Sequence, residues 1–214
     1  MGIQHWGAFG GFQNKTGALV GHYTNGQNVI TAIPHPSQKP ATIAQINQRA
    51  KFKTVVSFLS RLTGLVRVGF QNAHQAKQSA FNAAFVYNYQ NAVIGVGPNF
   101  TLDFEKFMYS KGNLSSPYAP EYLTDVPAKI KFSWLDYLGT GIGAQTDMFT
   151  VVVYCPVLDQ FVSLANAVSR SALTYTLQLP PPFSGKVVNA WVSMVSADGK
   201  LTSNSISLPD ITVL

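Results

Sequence analysis

The sequence predicts an α+β protein in which an N-terminal glycine-rich β-hairpin and a two-helix hairpin precede a C-terminal antiparallel β-sandwich. Seven glycines interleave with aromatic residues within the first 26 residues, a density that helices do not tolerate. Between residues 42 and 92, apolar residues recur mostly at helical spacing. From about residue 127 onward the apolar period is two, in short runs separated by glycine, proline and aspartate.

The first expected element is a β-hairpin around Asn25-Gly26, the dipeptide that a type I′ turn prefers because both central residues need a positive φ. Its strands are expected at 19–23 and 27–33. A lone hairpin is marginal in water, so we expect helices of the same chain or another subunit to cover its edges. The candidate self-assembly interface consists of Trp6, Phe9, Phe12, Leu19 and Tyr23.

Two helices are expected after the proline-rich linker at 34–40. The first begins near Thr42, which forms a capping-box pattern with Gln45, and continues to about Gly64. The second is expected from about 75 to 92, where aromatic residues recur every four positions. The two helices are expected to form a hairpin that covers the N-terminal strands.

The sequence of the second half predicts a seven-stranded β-sandwich. Six strands lie within the second half, and the seventh is expected from upstream, at 101–109 or at 122–126. In this pattern Trp134 lies in the first long strand and Tyr154 ends the next one. This order resembles a fibronectin type III domain over 127–214, and the resemblance implies a binding or spacer module. The other six strands are expected at 129–134, 148–155, 160–164, 173–179, 186–195 and 203–208.

The predicted organisation is therefore a basic β-hairpin and helical-hairpin domain at 1–98, a connecting segment at 99–126 and the sandwich at 127–214. Several short motifs also carry a family resemblance. They are Gly7-Ala8-Phe9-Gly10-Gly11-Phe12, Lys15-Thr16-Gly17, Val20-Gly21, Pro40-Ala41-Thr42-Ile43-Ala44-Gln45, Arg49-Ala50-Lys51-Phe52 and Ala80-Phe81-Asn82-Ala83-Ala84.

These motifs resemble an uncharacterised family of Bacteroidota proteins classed as a domain of unknown function, and the resemblance runs the whole length of the chain. The central pattern, Pro-x-Thr-x-Ala-Gln-x-x-x-Arg-x-x-Phe, is also similar to small proteins encoded in phage-like gene clusters. The resemblance implies a fold and an assembly role, and it implies no catalytic activity.

Charge is divided unevenly along the chain. The first 102 residues contain eight Lys and Arg and no Asp or Glu, so their formal net charge is +8. Residues 103–214 contain all nine carboxylates and seven further cations, so their formal net charge is −2. The cations of the first half should therefore face water or the anions of another molecule. Arg49, Lys53 and Arg61 lie four and eight residues apart and predict a basic stripe along the first helix. Three interpretations remain open: a solvated face, a polyanion-binding face, or a contact with the acidic half of a neighbouring copy.

No residue pattern predicts catalysis, a metal or a cofactor. The four histidines lack metal-ligand spacing, and the chain has no Gly-x-Ser-x-Gly elbow. Five of its carboxylates occur singly at expected strand ends and turns, namely Asp136, Asp147, Asp159, Asp198 and Asp210. We therefore expect no catalytic, cofactor-binding or metal-binding residues and no small-molecule substrate.

The sequence shows neither a secretory signal pattern nor an apolar run that could span a membrane. We expect a protein of the cytoplasm or of an assembled particle, without a membrane partner. The expected function is that of a non-enzymatic structural protein, which self-associates into a homopolymer, such as a filament, or a phage-like particle component through its glycine-rich arm. The alternative is a nucleic-acid-associated protein that binds through the basic stripe, and a cell-surface binding module is a third hypothesis that the missing signal opposes.

Overall fold

The computed structural model describes residues 3–4, 10–24, 26–35, 39–75, 78–136 and 141–214, with only the backbone described for 3–4. The chain forms two compact units, Met1–Thr42 and Ile43–Leu214. The division thus lies after Thr42 rather than at the expected boundaries 98/99 and 126/127. The physical reason is that the helices share an apolar cluster with the sandwich and so belong to the same unit.

The first unit contains a four-stranded antiparallel sheet, which we call the N-terminal sheet. Its strands follow one another in chain order: β1 (Ile3–Gln4), β2 (Phe12–Thr16), β3 (Leu19–Thr24) and β4 (Gln27–Ala32). The expected hairpin is confirmed as β3 and β4, because Thr24 pairs with Gln27 and Gly26 has a φ of 80°. The hairpin is extended by two further strands that the sequence did not predict.

The helical region contains three helices: α1 (Ile43–Leu59), α2 (Thr63–Gly69) and α3 (Ala80–Asn91). A 3₁₀ turn at Ser60–Leu62 joins α1 to α2, so the helical path continues beyond the expected end at Gly64. The third helix begins later than expected, because the Ser79 hydroxyl accepts a hydrogen bond from the Asn82 N–H at 3.2 Å and caps it there.

The remaining strands form a short hairpin and a sandwich. The hairpin pairs β5 (Val93–Val96) with β6 (Asn99–Leu102). The sandwich places β10-β9-β12-β13 against β11-β8-β7, all antiparallel. Its strands are β7 (Tyr118–Leu123), β8 (Lys129–Leu135), β9 (Met148–Cys155), β10 (Gln160–Leu164), β11 (Thr174–Gln178), β12 (Val187–Val195) and β13 (Ile206–Thr212).

Two sandwich strands differ from expectation. The seventh strand, β7, overlaps the expected segment at 122–126 but begins earlier, whereas 101–109 contributes only the end of β6 and a loop. The last strand lies at Ile206–Thr212 rather than 203–208. Its start is delayed because the Ser205 N–H donates to the Ser110 carbonyl oxygen at 2.9 Å instead of to a strand.

Two apolar clusters hold this unit together. Between the two sheets, Trp134 stacks on Phe149 with ring centroids 4.4 Å apart. On the outer face of the sandwich sheet β10-β9-β12-β13, Phe58 of α1 contacts Tyr154 and Trp191. The helices therefore bury their apolar face on the sandwich, a surface that the sequence did not predict for them. Among the described residues, no helix is long and apolar enough to span a membrane.

Candidate functional site

The N-terminal sheet presents an exposed apolar face. Leu19 pairs with Ala32, Gly21 with Ile30 and Tyr23 with Asn28, and directly opposite residues project from the same side of a sheet. Leu19, Tyr23 and Ile30 therefore share one face, where they are 44%, 59% and 49% exposed. Large apolar side chains this exposed on neighbouring strands make this face the candidate contact surface of the described residues.

Phe12 packs on this same sheet, at Gly21. A Cβ atom on Gly21 would lie 2.0 Å from the Phe12 carbonyl oxygen and 2.8 Å from its ring. Only glycine admits so close an approach, so Gly21 allows β2 and its aromatic ring to lie against β3. Phe12 is partly buried as a result, and among the expected interface residues that the structure describes, Phe12 also supports the sheet itself.

The outer edge of β4 is unpaired within the described part of the chain. The Ile33 N–H donates to the Ala18 carbonyl oxygen at 3.1 Å, and hydrogen-bonded pairs alternate along an antiparallel ladder. The main-chain groups of Asn28, Ile30 and Ala32 therefore point away from β3. No described residue pairs with these groups, and they form a row of donors and acceptors that can pair with a strand of another molecule.

The expected interface residues are thus only partly brought together. Leu19 and Tyr23 lie on the exposed face, and Phe12 lies at its rim. Trp6 and Phe9 lie outside the described residues. Ile30 is an additional member that sequence reasoning missed. The hairpin register could have identified it, because the Asn-Gly turn places Ile30 opposite Gly21 and hence beside Leu19 and Tyr23.

The basic stripe is smaller than the sequence predicts. Arg61 forms two hydrogen bonds to the carboxylate of Asp159, each 2.5 Å long. It also donates to the Asp159 carbonyl oxygen at 3.0 Å and lies over the Phe161 ring. The expectation that cations of the first half lack a partner in the chain is therefore wrong for Arg61, whose partner is a carboxylate of the second half.

The surroundings of Asp159 set its charge state. Hydrogen bonds from Arg61 and then from Tyr154 hold the pKa of the Asp159 carboxyl below its ordinary value. The same contact raises the pKa of Arg61. Burial, and then the hydrogen bond to Asp159, raises the pKa of Tyr154 to about 12. At neutral pH the cluster is an ion pair beside a neutral phenol, so none of its groups is poised to transfer a proton.

Arg49 and Lys53 remain exposed on α1, and the residues that the structure describes supply no ion pair to either. Between them, Lys51 lies 4.9 Å from the centroid of the Phe100 ring. Two free cations are a small electrostatic footprint for a polyanion. Nucleic-acid binding through the stripe stays a prediction, and it now depends on Arg49 and Lys53 alone.

Comparison with known proteins places the chain in a family. The model of a family of unknown function, DUF6266, matches residues 11–209. The chain belongs to this family. Among curated proteins, none matches the chain. The sequence-based resemblance to an uncharacterised family is therefore confirmed at the level of the family.

Solved structures similar to this DUF6266 protein include fibronectin type III domains. The fn3 domain of the human collagen alpha-1(XX) chain is 17% identical, with a TM-score of 0.36, over 47% of this chain and 86% of that one. A chain described as a myokine structure is 13% identical, with a TM-score of 0.32, over 47% and 97% of the two chains. The chicken CNTN1 FN1–FN3 domains are 14% identical, with a TM-score of 0.32, over 49% and 34%. The seven antiparallel strands in two sheets confirm the fibronectin III-like β-sandwich predicted from the sequence.

Proposed function

We propose that this DUF6266 protein is a non-enzymatic structural protein that self-associates, into a homopolymer or a phage-like particle component, through its N-terminal sheet. The observation that carries the proposal is the combination of an exposed apolar face and an unpaired edge on the same sheet. A strand from a second copy can add to β4 and satisfy the free main-chain groups of Asn28, Ile30 and Ala32. The same addition covers neighbouring apolar side chains.

The N-terminal sheet also needs such cover for its own stability. Along β2, β3 and β4 most side chains are exposed, and only Gly21 is fully buried. A sheet gains little from hydrogen bonds alone, because its unfolded strands bond equally to water. Apolar burial is the main favourable term, at about 25 cal/mol per Å². Burying Leu19, Tyr23 and Ile30 against another copy supplies the term that the described sheet lacks.

The test places a charge on the edge strand. Ile30→Lys puts an ammonium group into the proposed interface, whereas Ile46→Lys makes the same change at a 45% exposed isoleucine of α1. Sedimentation velocity over a concentration series should show large species for the wild type and for Ile46→Lys, and a dissociated species for Ile30→Lys. Negative-stain electron microscopy of the same samples would show whether the large species are regular.

Circular dichroism serves as the control for folding. If Ile30→Lys keeps the wild-type spectrum and still assembles at the wild-type concentration, the N-terminal sheet is not the interface. If the wild type remains monomeric at every concentration, the proposal of self-association fails altogether.

A further inference from the structure

A cavity lies beside α2 on the outer face of the sandwich sheet β10-β9-β12-β13. Along this face Val152 is paired with Trp191, and the next pair on the same side is Thr150 with Ser193. The helices cover the first pair, which belongs to the apolar cluster they share with the sheet. The second pair instead lines a cavity of about 290 Å³.

The lining of this cavity is mostly apolar and carries no charge. Leu65 and Val68 of α2 contribute to one wall, and Val195 of β12 to another. None of the described lining residues is an Asp, Glu, Lys, Arg or His. Tyr109 also lines the cavity, and burial raises the pKa of its hydroxyl, which therefore stays neutral. A charged ligand would lose its hydration here without gaining a counter-charge, so the lining favours a neutral ligand.

Three buried hydroxyl groups, of Tyr109, Thr150 and Ser193, supply the polar part of the lining. The Tyr109 hydroxyl lies 2.8 Å from Ser193 Oγ and 3.3 Å from the Thr150 carbonyl oxygen, so its hydrogen has an acceptor. The Thr150 hydroxyl oxygen accepts from the Asn166 N–H at 3.2 Å. No described residue accepts the hydroxyl hydrogen of Thr150 itself, although Thr150 is only 2% exposed. A buried donor without an acceptor is unfavourable, so a ligand that brings an oxygen to Thr150 is favoured.

We propose that this cavity binds a neutral, largely apolar small molecule of about two rings, whose carbonyl or hydroxyl oxygen accepts a hydrogen bond from Thr150. An apolar cavity of about 150 Å³ holds one benzene ring, so about 290 Å³ accommodates two rings. Water can satisfy Thr150 but gains nothing from Leu65 and Val68, so an apolar molecule with one oxygen displaces it. This ligand site goes beyond the proposed function and does not depend on self-association.

The entrance of the cavity is kept open by small residues. Gly64 of α2 and Ala165 both line the cavity and are exposed to solvent. A Cβ atom on Gly64 would meet nothing within 4 Å, so the space beside it is empty. A ligand can therefore enter without displacing any side chain of α2 at this position.

Equilibrium dialysis of the full chain with two matched compounds tests the class of ligand. The compounds 2-acetylnaphthalene and 2-ethylnaphthalene share two rings and a two-carbon chain, and only the first carries an oxygen acceptor. Both should bind the wild type. Thr150→Val should weaken the binding of 2-acetylnaphthalene by roughly tenfold, because its carbonyl oxygen loses a donor. The same variant should bind 2-ethylnaphthalene no more weakly than the wild type does.

Two variants of the entrance test the location. Gly64→Phe and Ala165→Phe each place a ring at the entrance and should weaken the binding of both compounds by roughly tenfold or more, because a filled cavity leaves no space for a second ring. Ile30→Lys changes the apolar face of the N-terminal sheet instead and should bind both compounds as the wild type does.

Thr202→Val is the matched control for Thr150→Val. Thr202 is also buried but does not line the cavity. Its hydroxyl donates to the Gly69 carbonyl oxygen at 3.1 Å, which keeps a second donor, the Lys111 N–H, at 2.9 Å when Thr202 is changed. Thr202→Val should therefore bind both compounds as the wild type does.

The results that would overturn the proposal are distinct from a failure of self-association. If neither compound binds the wild type, or if both bind Gly64→Phe and Ala165→Phe unchanged, the cavity is not a ligand site. If Thr150→Val binds 2-acetylnaphthalene as the wild type does, or Thr202→Val weakens it equally, Thr150 does not hold the ligand. Loss of both compounds in Ile30→Lys would place their binding on the N-terminal sheet. A wild type that binds them but stays monomeric would contradict only the proposed function.

Discussion

Gly64 and Gly69 belong to the same short helix, α2, but have opposite surroundings. A Cβ atom on Gly64 meets nothing within 4 Å. Gly64→Ala should therefore raise the free energy of unfolding by about 0.5–1 kcal/mol, because alanine restricts the unfolded chain and favours the helix. Gly69→Ala should lower it by about 1–3 kcal/mol, since its Cβ would lie 2.4 Å from the Tyr109 carbonyl oxygen.

Urea denaturation of the two variants and the wild type measures this difference directly. Equal midpoints for Gly64→Ala and Gly69→Ala would mean that the close packing of α2 against the Tyr109 segment does not exist in solution. Both changes are the same chemical substitution in one helix, so helix propensity cannot explain why one raises and the other lowers the free energy of unfolding.

At the residue scale, the sequence predicts charges well and their partners poorly. Arg61 was expected on the polar face of the first helix, whereas it lies in the 3₁₀ turn Ser60–Leu62 and its partner Asp159 is 98 residues away. Helical spacing reports only neighbours three or four positions apart. The spacing of residues around Arg61 therefore cannot reveal a carboxylate that only the fold of the sandwich brings close. The face of Ile30 was, in contrast, fixed by the hairpin register and could have been read from the sequence.

At the scale of elements, a buried ion pair joins several loops of the sandwich. The Arg170 guanidinium lies 3.2 Å from the Asp147 carboxylate, and both side chains are almost fully buried. Arg170 also donates to the Ser115 carbonyl oxygen at 2.6 Å, and its own carbonyl oxygen accepts from the Trp134 indole at 2.9 Å. Arg170 thus connects β8, the 115–116 segment and the loop before β9.

Asp147→Ala should therefore lower the free energy of unfolding by about 3–5 kcal/mol, because it leaves a buried guanidinium without its counter-charge. The double variant Asp147→Ala with Arg170→Met should be more stable than Asp147→Ala alone, since no uncompensated charge remains. Thermal and urea unfolding measure both. Lys200→Ala, which removes the exposed pair with Asp198, should cause no comparable loss. A double variant less stable than Asp147→Ala would contradict this account.

The elements themselves were largely predictable, and their packing partner was not. Period-two runs predicted five strands of the sandwich close to their observed positions and a sixth, β13, three residues too early, because alternation follows directly from the pleat. The helices were also predicted, but the surface they cover was not. The signal lay in β9, where Val152 and Tyr154 face the helices while Val151 and Val153 face the other sheet. A continuous apolar strand is buried on both faces.

At the scale of the whole molecule, this packing makes the helices and the sandwich one unit. Phe58 of α1 packs edge-on against Phe107, Tyr154, Phe161 and Trp191, which belong to the sandwich or to the segment leading into it. The indole of Trp191 also donates to the Phe104 carbonyl oxygen at 2.9 Å. If the helices separated from the sheet that contains β9 and β12, the apolar side chains of both surfaces would be exposed to water. Residues 43–214 should therefore unfold in a single step.

Phe58→Ala tests this cooperativity. It should lower the free energy of unfolding by about 3–5 kcal/mol, the cost of deleting a buried aromatic ring. Hydrogen exchange should then accelerate by the same factor at slow amides of α1 and of β9, because both open in one transition. Phe52→Ala removes a ring that is 51% exposed on the same helix and should have a much smaller effect. If only the α1 amides accelerate, the helices form a domain separate from the sandwich, as the sequence-based boundary at residue 98 predicts.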